Sequence, residues 1–113
     1  MNWQQLTTEE QLYTIKERSQ STPQVIFKHS TRCSISAMAL NRLERAEQPK
    51  GGDFYFLDLI ANRSVSNAVA EMFHVHHESP QILIISNGEC VYDESHMGIS
   101  PDEIEAQLSA ASH

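Results

Sequence analysis

The chain has 113 residues, 40% of them apolar, which is enough for one core, so one domain spanning residues 1–113 is expected. A formal net charge of −7 is the wrong sign for a surface that displaces counterions from phosphates, so neither nucleic acid nor an anionic membrane is an expected partner. Met1 to Glu10 lacks a basic stretch leading into an apolar one, and no apolar run approaches the roughly 20 residues that span a bilayer; a soluble, cytoplasmic protein is expected.

Thr7 or Thr8 is an N-cap candidate, with acidic Glu9 and Glu10 after it and Leu12 and Ile15 at helical spacing, which predicts a first helix to about Arg18. Val25-Ile26-Phe27 then reads as a central strand. His29 to Arg32 forms a loop, and from Ser34 the positions Ile35, Met38, Ala39, Leu40 and Leu43 predict a helix to about Glu47, ended by Pro49, Gly51 and Gly52. Phe54 to Leu59 is a second strand, and Asn62 or Ser64 caps a third helix carrying Val65, Ala68, Val69, Met72 and Phe73. Ile82 to Ile85 and Cys90 to Asp93 are strands joined through Asn87-Gly88, a pair that favours a tight antiparallel hairpin. Ser100-Pro101-Asp102-Glu103 starts a closing helix with a cap, a proline in the first turn and acidic residues.

This order, α-β-α-β-α-β-β-α, predicts an α/β protein with a four-stranded mixed sheet and helices on both faces, the arrangement of the thioredoxin-like fold. One fold hosts many functions, so the residues must carry the chemistry. Without a secretory signal, Cys33 and Cys90 are expected as reduced thiols. Cys33 stands where the first core strand gives way to a helix, and amide dipoles at a helix start favour a negative sulfur. Arg32 and Lys28 add positive charge nearby, although a lysine at a strand edge is ordinarily solvated. Ser36 lies three residues after Cys33, where a C-x-x-C protein has its second thiol, so Cys33 has no local partner for an internal disulfide and another thiol must resolve any mixed disulfide. Ser34 and Ser36 can also serve as first-turn hydrogen-bonding groups. Ser79-Pro80 precedes a strand, where a proline withholds no needed ladder donor. Cys90 reads as a half-buried, inert strand thiol. His74, His76 and His77 cluster, but the chain lacks a four-ligand set and no metal is expected; His76 or His77 can instead approach Cys33 through the proline loop.

Three segments, Phe27-Lys28-His29-Ser30-Thr31-Arg32-Cys33-Ser34-Ile35-Ser36, His77-Glu78-Ser79-Pro80-Gln81 and Ser95-His96, together resemble the monothiol bacilliredoxin (YtxJ-like) family of thioredoxin-fold proteins. In that family the site usually reads T-C-P-I-S, so Ser34 stands where a proline is common. The resemblance implies a monothiol oxidoreductase whose catalytic Cys33 removes bacillithiol from protein mixed disulfides, with Arg32, Ser34 and Ser36 as supporting residues. It further implies that Pro80 is a cis-proline facing the sulfur, and that Ser79, Pro80 and Lys28 contact the low-molecular-weight thiol. Bacillithiol is then a co-substrate, no tightly bound cofactor is needed, and bacillithiolated proteins are the partners. Two other readings stay open: an iron-sulfur cluster carrier using two Cys33 thiolates, and a peroxide-sensing module.

Overall fold

In a computed structural model describing residues 1–111, the strands are β1 (Gln4–Gln5), β2 (Gln24–His29), β3 (Asp53–Asp58), β4 (Gln81–Ser86) and β5 (Glu89–Ser95). The helices are α1 (Glu10–Arg18), α2 (Ser34–Arg45), α3 (Arg63–Phe73) and α4 (Pro101–Ala111), with a 3-10 turn at His96–Gly98. The sheet order is β1-β3-β2-β4-β5. β1 and β2 run parallel to β3, whereas β4 is antiparallel to both β2 and β5. The sheet therefore has five strands where four are predicted. The extra strand is two exposed glutamines, which carry no apolar signal. Its neighbours hold it: Leu6 is buried and donates its amide to Phe56 O at 2.9 Å, and Trp3 stacks on Phe27 and meets Phe54 and Phe56 edge-on.

β2 and β4 are buried along their whole length because helices cover both sides of the sheet, so their central residues, Val25–Phe27 and Ile82–Ile85, read as apolar runs. Ile26, Tyr55, Leu57, Leu83 and Ile85 pack with Leu12, Ile15, Val65 and Val69 in the layer under α1 and α3. Val25, Phe27, Phe54, Ile82 and Ile84 pack with Ala39, Leu43, Ile104 and Leu108 under α2 and α4. β5 closes the sheet as an edge strand of alternating exposure carrying Glu89, Asp93 and Glu94, charges that discourage further pairing.

Local signals act as expected at three ends. Thr8 Oγ1 accepts the Gln11 amide at 3.3 Å while Gln11 Oε1 accepts the Thr8 amide at 3.0 Å, a reciprocal cap two residues ahead of regular α1. Asn87 and Gly88 both take positive φ, 53° and 78°, which matches the hairpin to strand twist. The Glu103 amide is 3.4 Å from Ser100 Oγ, capping α4 ahead of Pro101. No helix among the described residues is long and apolar enough to cross a membrane.

Candidate active site

The C-terminal ends of parallel β2 and β3 and the start of β4 meet at one end of the sheet, the usual place for a site in an α/β fold. β2 ends at His29, a three-residue loop follows, and Cys33 is the N-cap of α2, half-buried, in extended backbone and with no side-chain capping bond. The Cys33 amide donates to Ser30 O at 3.2 Å, and Cys33 O accepts the Ala37 amide at 3.0 Å. The helix begins at Ser34 although a proline is absent; Ser34 and Arg32 are exposed.

Ser36 does not cap the helix. It is fully buried, its Oγ accepts the Ser30 amide at 3.0 Å, and it lies 2.7 Å from His29 Nδ1. His29 is itself buried, with its ring 5.3 Å from that of Phe56 and 5.9 Å from that of Phe27. Burial pushes the imidazole below its ordinary value, against the charge of Asp58, its register partner on β3. Sequence patterning misses His29, because a contact seven residues apart across a turn follows no period.

On the neighbouring strand the Ser79–Pro80 peptide is cis, immediately before Gln81, which pairs with Lys28. Pro80 O accepts the His96 amide at 3.0 Å. Arg42 on α2 donates to Ile99 O at 3.2 Å and His96 O at 3.4 Å, so the 3-10 turn bridges α2 to the proline loop. The Ser79 hydroxyl is enclosed and has no hydrogen-bond partner among the described residues. Glu78 places its carboxylate 3.3 Å from His96 Nε2 and 3.8 Å from His76 Nε2.

Residues 4–104 match the family described as monothiol bacilliredoxin BrxC. The chain belongs to this family. A solved structure of a proposed oxidoreductase with a thioredoxin fold is 30% identical, covers 93% of this chain and 91% of its own, and superposes with a TM-score of 0.75. Thioredoxins from Malassezia sympodialis (16% identical; 99% and 92% covered; TM-score 0.74) and Fasciola hepatica (15%; 96% and 99%; 0.71) share the fold. Membership in the bacilliredoxin family supports a thiol redox role.

Lys28 departs most from expectation. It is neither a solvated edge lysine nor an amine open to a small ligand. It lies on a central strand with no exposed surface, and its Nζ donates to Ser66 O on α3 at 3.1 Å and sits 3.2 Å from His77 Nδ1. Burial lowers its pKa from 10.5 to about 8. His77 is lowered as well, first by desolvation and then by the Lys28 charge. The histidine cluster is thus divided: His74 ends α3 in the left-handed region, His76 faces Glu78, and His77 meets Lys28. Among the described residues, no group of three or more histidine, cysteine or acidic side chains is arranged to hold a metal ion.

Cys90 lies on β5, packed against the α1/α3 layer and bonded through Sγ to Tyr92 O at 3.3 Å. Burial pushes its thiol up to about 11. The thiolate fraction at pH 8 falls to about 0.1%, against roughly 9% for a thiol of pKa 9. In a Cys33→Ser background, iodoacetamide should therefore modify Cys90 about a hundredfold more slowly than an unhindered cysteine peptide. Alkylation within a few-fold of the peptide rate would show that Cys90 is available as a resolving thiol.

Proposed function

We propose that this protein is a monothiol thiol-disulfide oxidoreductase of the cytoplasm that removes bacillithiol from protein mixed disulfides through Cys33. The observation that carries the reading is the placement of Cys33: a half-buried thiol at the start of α2, in a chain of the monothiol bacilliredoxin family. Ser36 supports the monothiol route, since the position of a second thiol holds a buried hydroxyl committed to the protein interior. The position of Ser79-Pro80 immediately before Gln81, the register partner of Lys28 near the end of β2 that leads to Cys33, supports a thiol-binding role for that loop. Arg32, exposed and adjacent to Cys33 in the chain, is a supporting residue that adds positive charge near the sulfur. Lys28 reaches the segment leading to this loop through His77.

In the first step the Cys33 thiolate attacks the bacillithiol sulfur of the mixed disulfide. The old S–S bond breaks, a new one forms to Cys33, and the repaired protein leaves as a thiolate that takes a proton from solvent. In the second step a further bacillithiol thiolate attacks that adduct, releasing Cys33 and forming bacillithiol disulfide. No metal or tightly bound cofactor enters either step.

Incubating the wild-type protein with a bacillithiolated model protein, then mapping peptides by mass, tests the reading. Loss of the adduct from the model protein, with bacillithiol appearing on the Cys33 peptide, is the expected result. Retention of the adduct, with Cys33 unmodified, would overturn the assignment; visible absorbance of the freshly purified protein would then favour a cluster carrier.

A further inference from the structure

We propose that His29 is a positioning residue of the Cys33 site: its neutral imidazole accepts the Ser36 hydroxyl at Nδ1 and locks the first turn of α2 onto the end of β2. The inference rests on the reading of Cys33 as the exchanging thiol and adds the group that holds that thiol in place.

Hydrogen-bond accounting fixes one of the two contacts at Ser36 Oγ. The Ser30 amide can only donate, so at 3.0 Å it donates to Ser36 Oγ. Oγ can donate its one proton or accept a second bond, and the 2.7 Å contact to His29 Nδ1 fits either. In the proposed lock Ser36 donates to Nδ1, and the ring proton of the neutral imidazole sits on Nε2. Both partners are buried, so water cannot replace either one. A charged His29 carries a proton on Nδ1 and cannot accept the Ser36 O–H, so the bond that defines the lock is lost.

The loop that delivers Cys33 is closed at both ends by this pair. Ser30 to Arg32 spans from the end of β2 to the helix, with the Cys33 amide bonded to Ser30 O and the Ser30 amide bonded to Ser36 Oγ. Ser36 is thus the pin and His29 the socket. On β3 the socket is bounded by the Phe56 ring and faced by the Asp58 carboxylate, on β2 by Phe27, and on α2 by Ser36. Desolvation opposes charging more strongly than Asp58 and a backbone hydrogen bond with Ser36 favour it.

His29→Phe keeps the ring and removes the acceptor; His29→Asn keeps an acceptor near the Nδ1 position and cannot titrate. The probe is a small aryl disulfide, from which Cys33 attack releases one coloured arylthiolate, so the readout needs no bacillithiol and stands if that assignment fails. At pH 7.5 the Phe variant should react at least about tenfold more slowly than wild type, as expected for a misplaced reacting group, and the Asn variant within about threefold. The ratio of Phe variant to wild type should rise toward one as acid charges His29 in the wild type. A Phe variant as fast as wild type, or a ratio that stays constant with pH, would overturn the proposal. Should that variant not fold, imidazole 15N shifts of the wild type decide: an Nε2-protonated neutral ring supports the lock, and an Nδ1-protonated one refutes it.

Discussion

Replacing Cys33 with serine should lower the rate of disulfide exchange by more than about a thousandfold and at the same time raise stability by about 0.5–1 kcal/mol. The first effect follows from the nucleophile: a serine hydroxyl is essentially un-ionised near neutral pH, and exchange requires a thiolate. Cys90 cannot substitute, because its thiol is half-buried and pushed up to about 11. The second effect follows from position. Cys33 is the N-cap of α2 and makes no capping hydrogen bond, whereas serine is among the preferred N-cap residues and its oxygen accepts a first-turn amide. The site thus gives up helix stability to keep a sulfur where an oxygen caps better. Exchange kinetics with the small aryl disulfide and urea unfolding of both proteins check the pair of effects. Residual activity within tenfold of wild type would move the chemistry away from Cys33, and a destabilised variant would mean that the sulfur contributes packing that serine cannot replace.

The order of elements from α1 onward is legible in the chain because each signal is local. β-branched runs mark the buried strands, Asn87-Gly88 marks the hairpin, and Ser100-Pro101 with Glu103 marks the last helix. Cys33 is legible for the same reason, as a thiol between a strand and a helix start. What escapes is set by tertiary packing. β1 exists only because Tyr55 and Phe56 offer backbone partners to Gln4 and Gln5, while the flanking Trp3 and Leu6 find apolar surface. The strand read as Val25–Phe27 continues through Lys28 and His29, since helices on both faces bury even its polar end. Neither the His29–Ser36 contact nor the Lys28–His77 contact has a sequence period, so a reading by composition leaves Lys28 in solvent and overlooks His29.

Lys28→Met should stabilise the protein by about 3 kcal/mol at pH 7 and slow its exchange with disulfides. Two principles pull in opposite directions here. Removing one member of a buried ion pair usually destabilises, because the other charge is left alone; His77, however, is exposed, and its own pKa is lowered by the Lys28 charge, so nothing charged is stranded when the ammonium goes. Burial cost then decides the sign. The fall from 10.5 to about 8 corresponds to about 3 kcal/mol held against the charged lysine in the fold, and methionine fills a similar volume without that penalty. The pH dependence gives a second check. Below pH 8 both folded and unfolded wild type carry the proton and the penalty is full; between about 8 and 10.5 the fold releases it while the unfolded chain keeps it, so wild-type stability rises there. The advantage of the methionine variant should therefore shrink across that interval, a trend that urea unfolding at pH 7, 9 and 10.5 would follow. Slower exchange is expected because Lys28 ties His77, and with it the loop leading to Ser79–Pro80, to α3. A variant less stable than wild type at pH 7 would mean that the two hydrogen bonds outweigh desolvation, and unchanged exchange would separate the buried lysine from the thiol site.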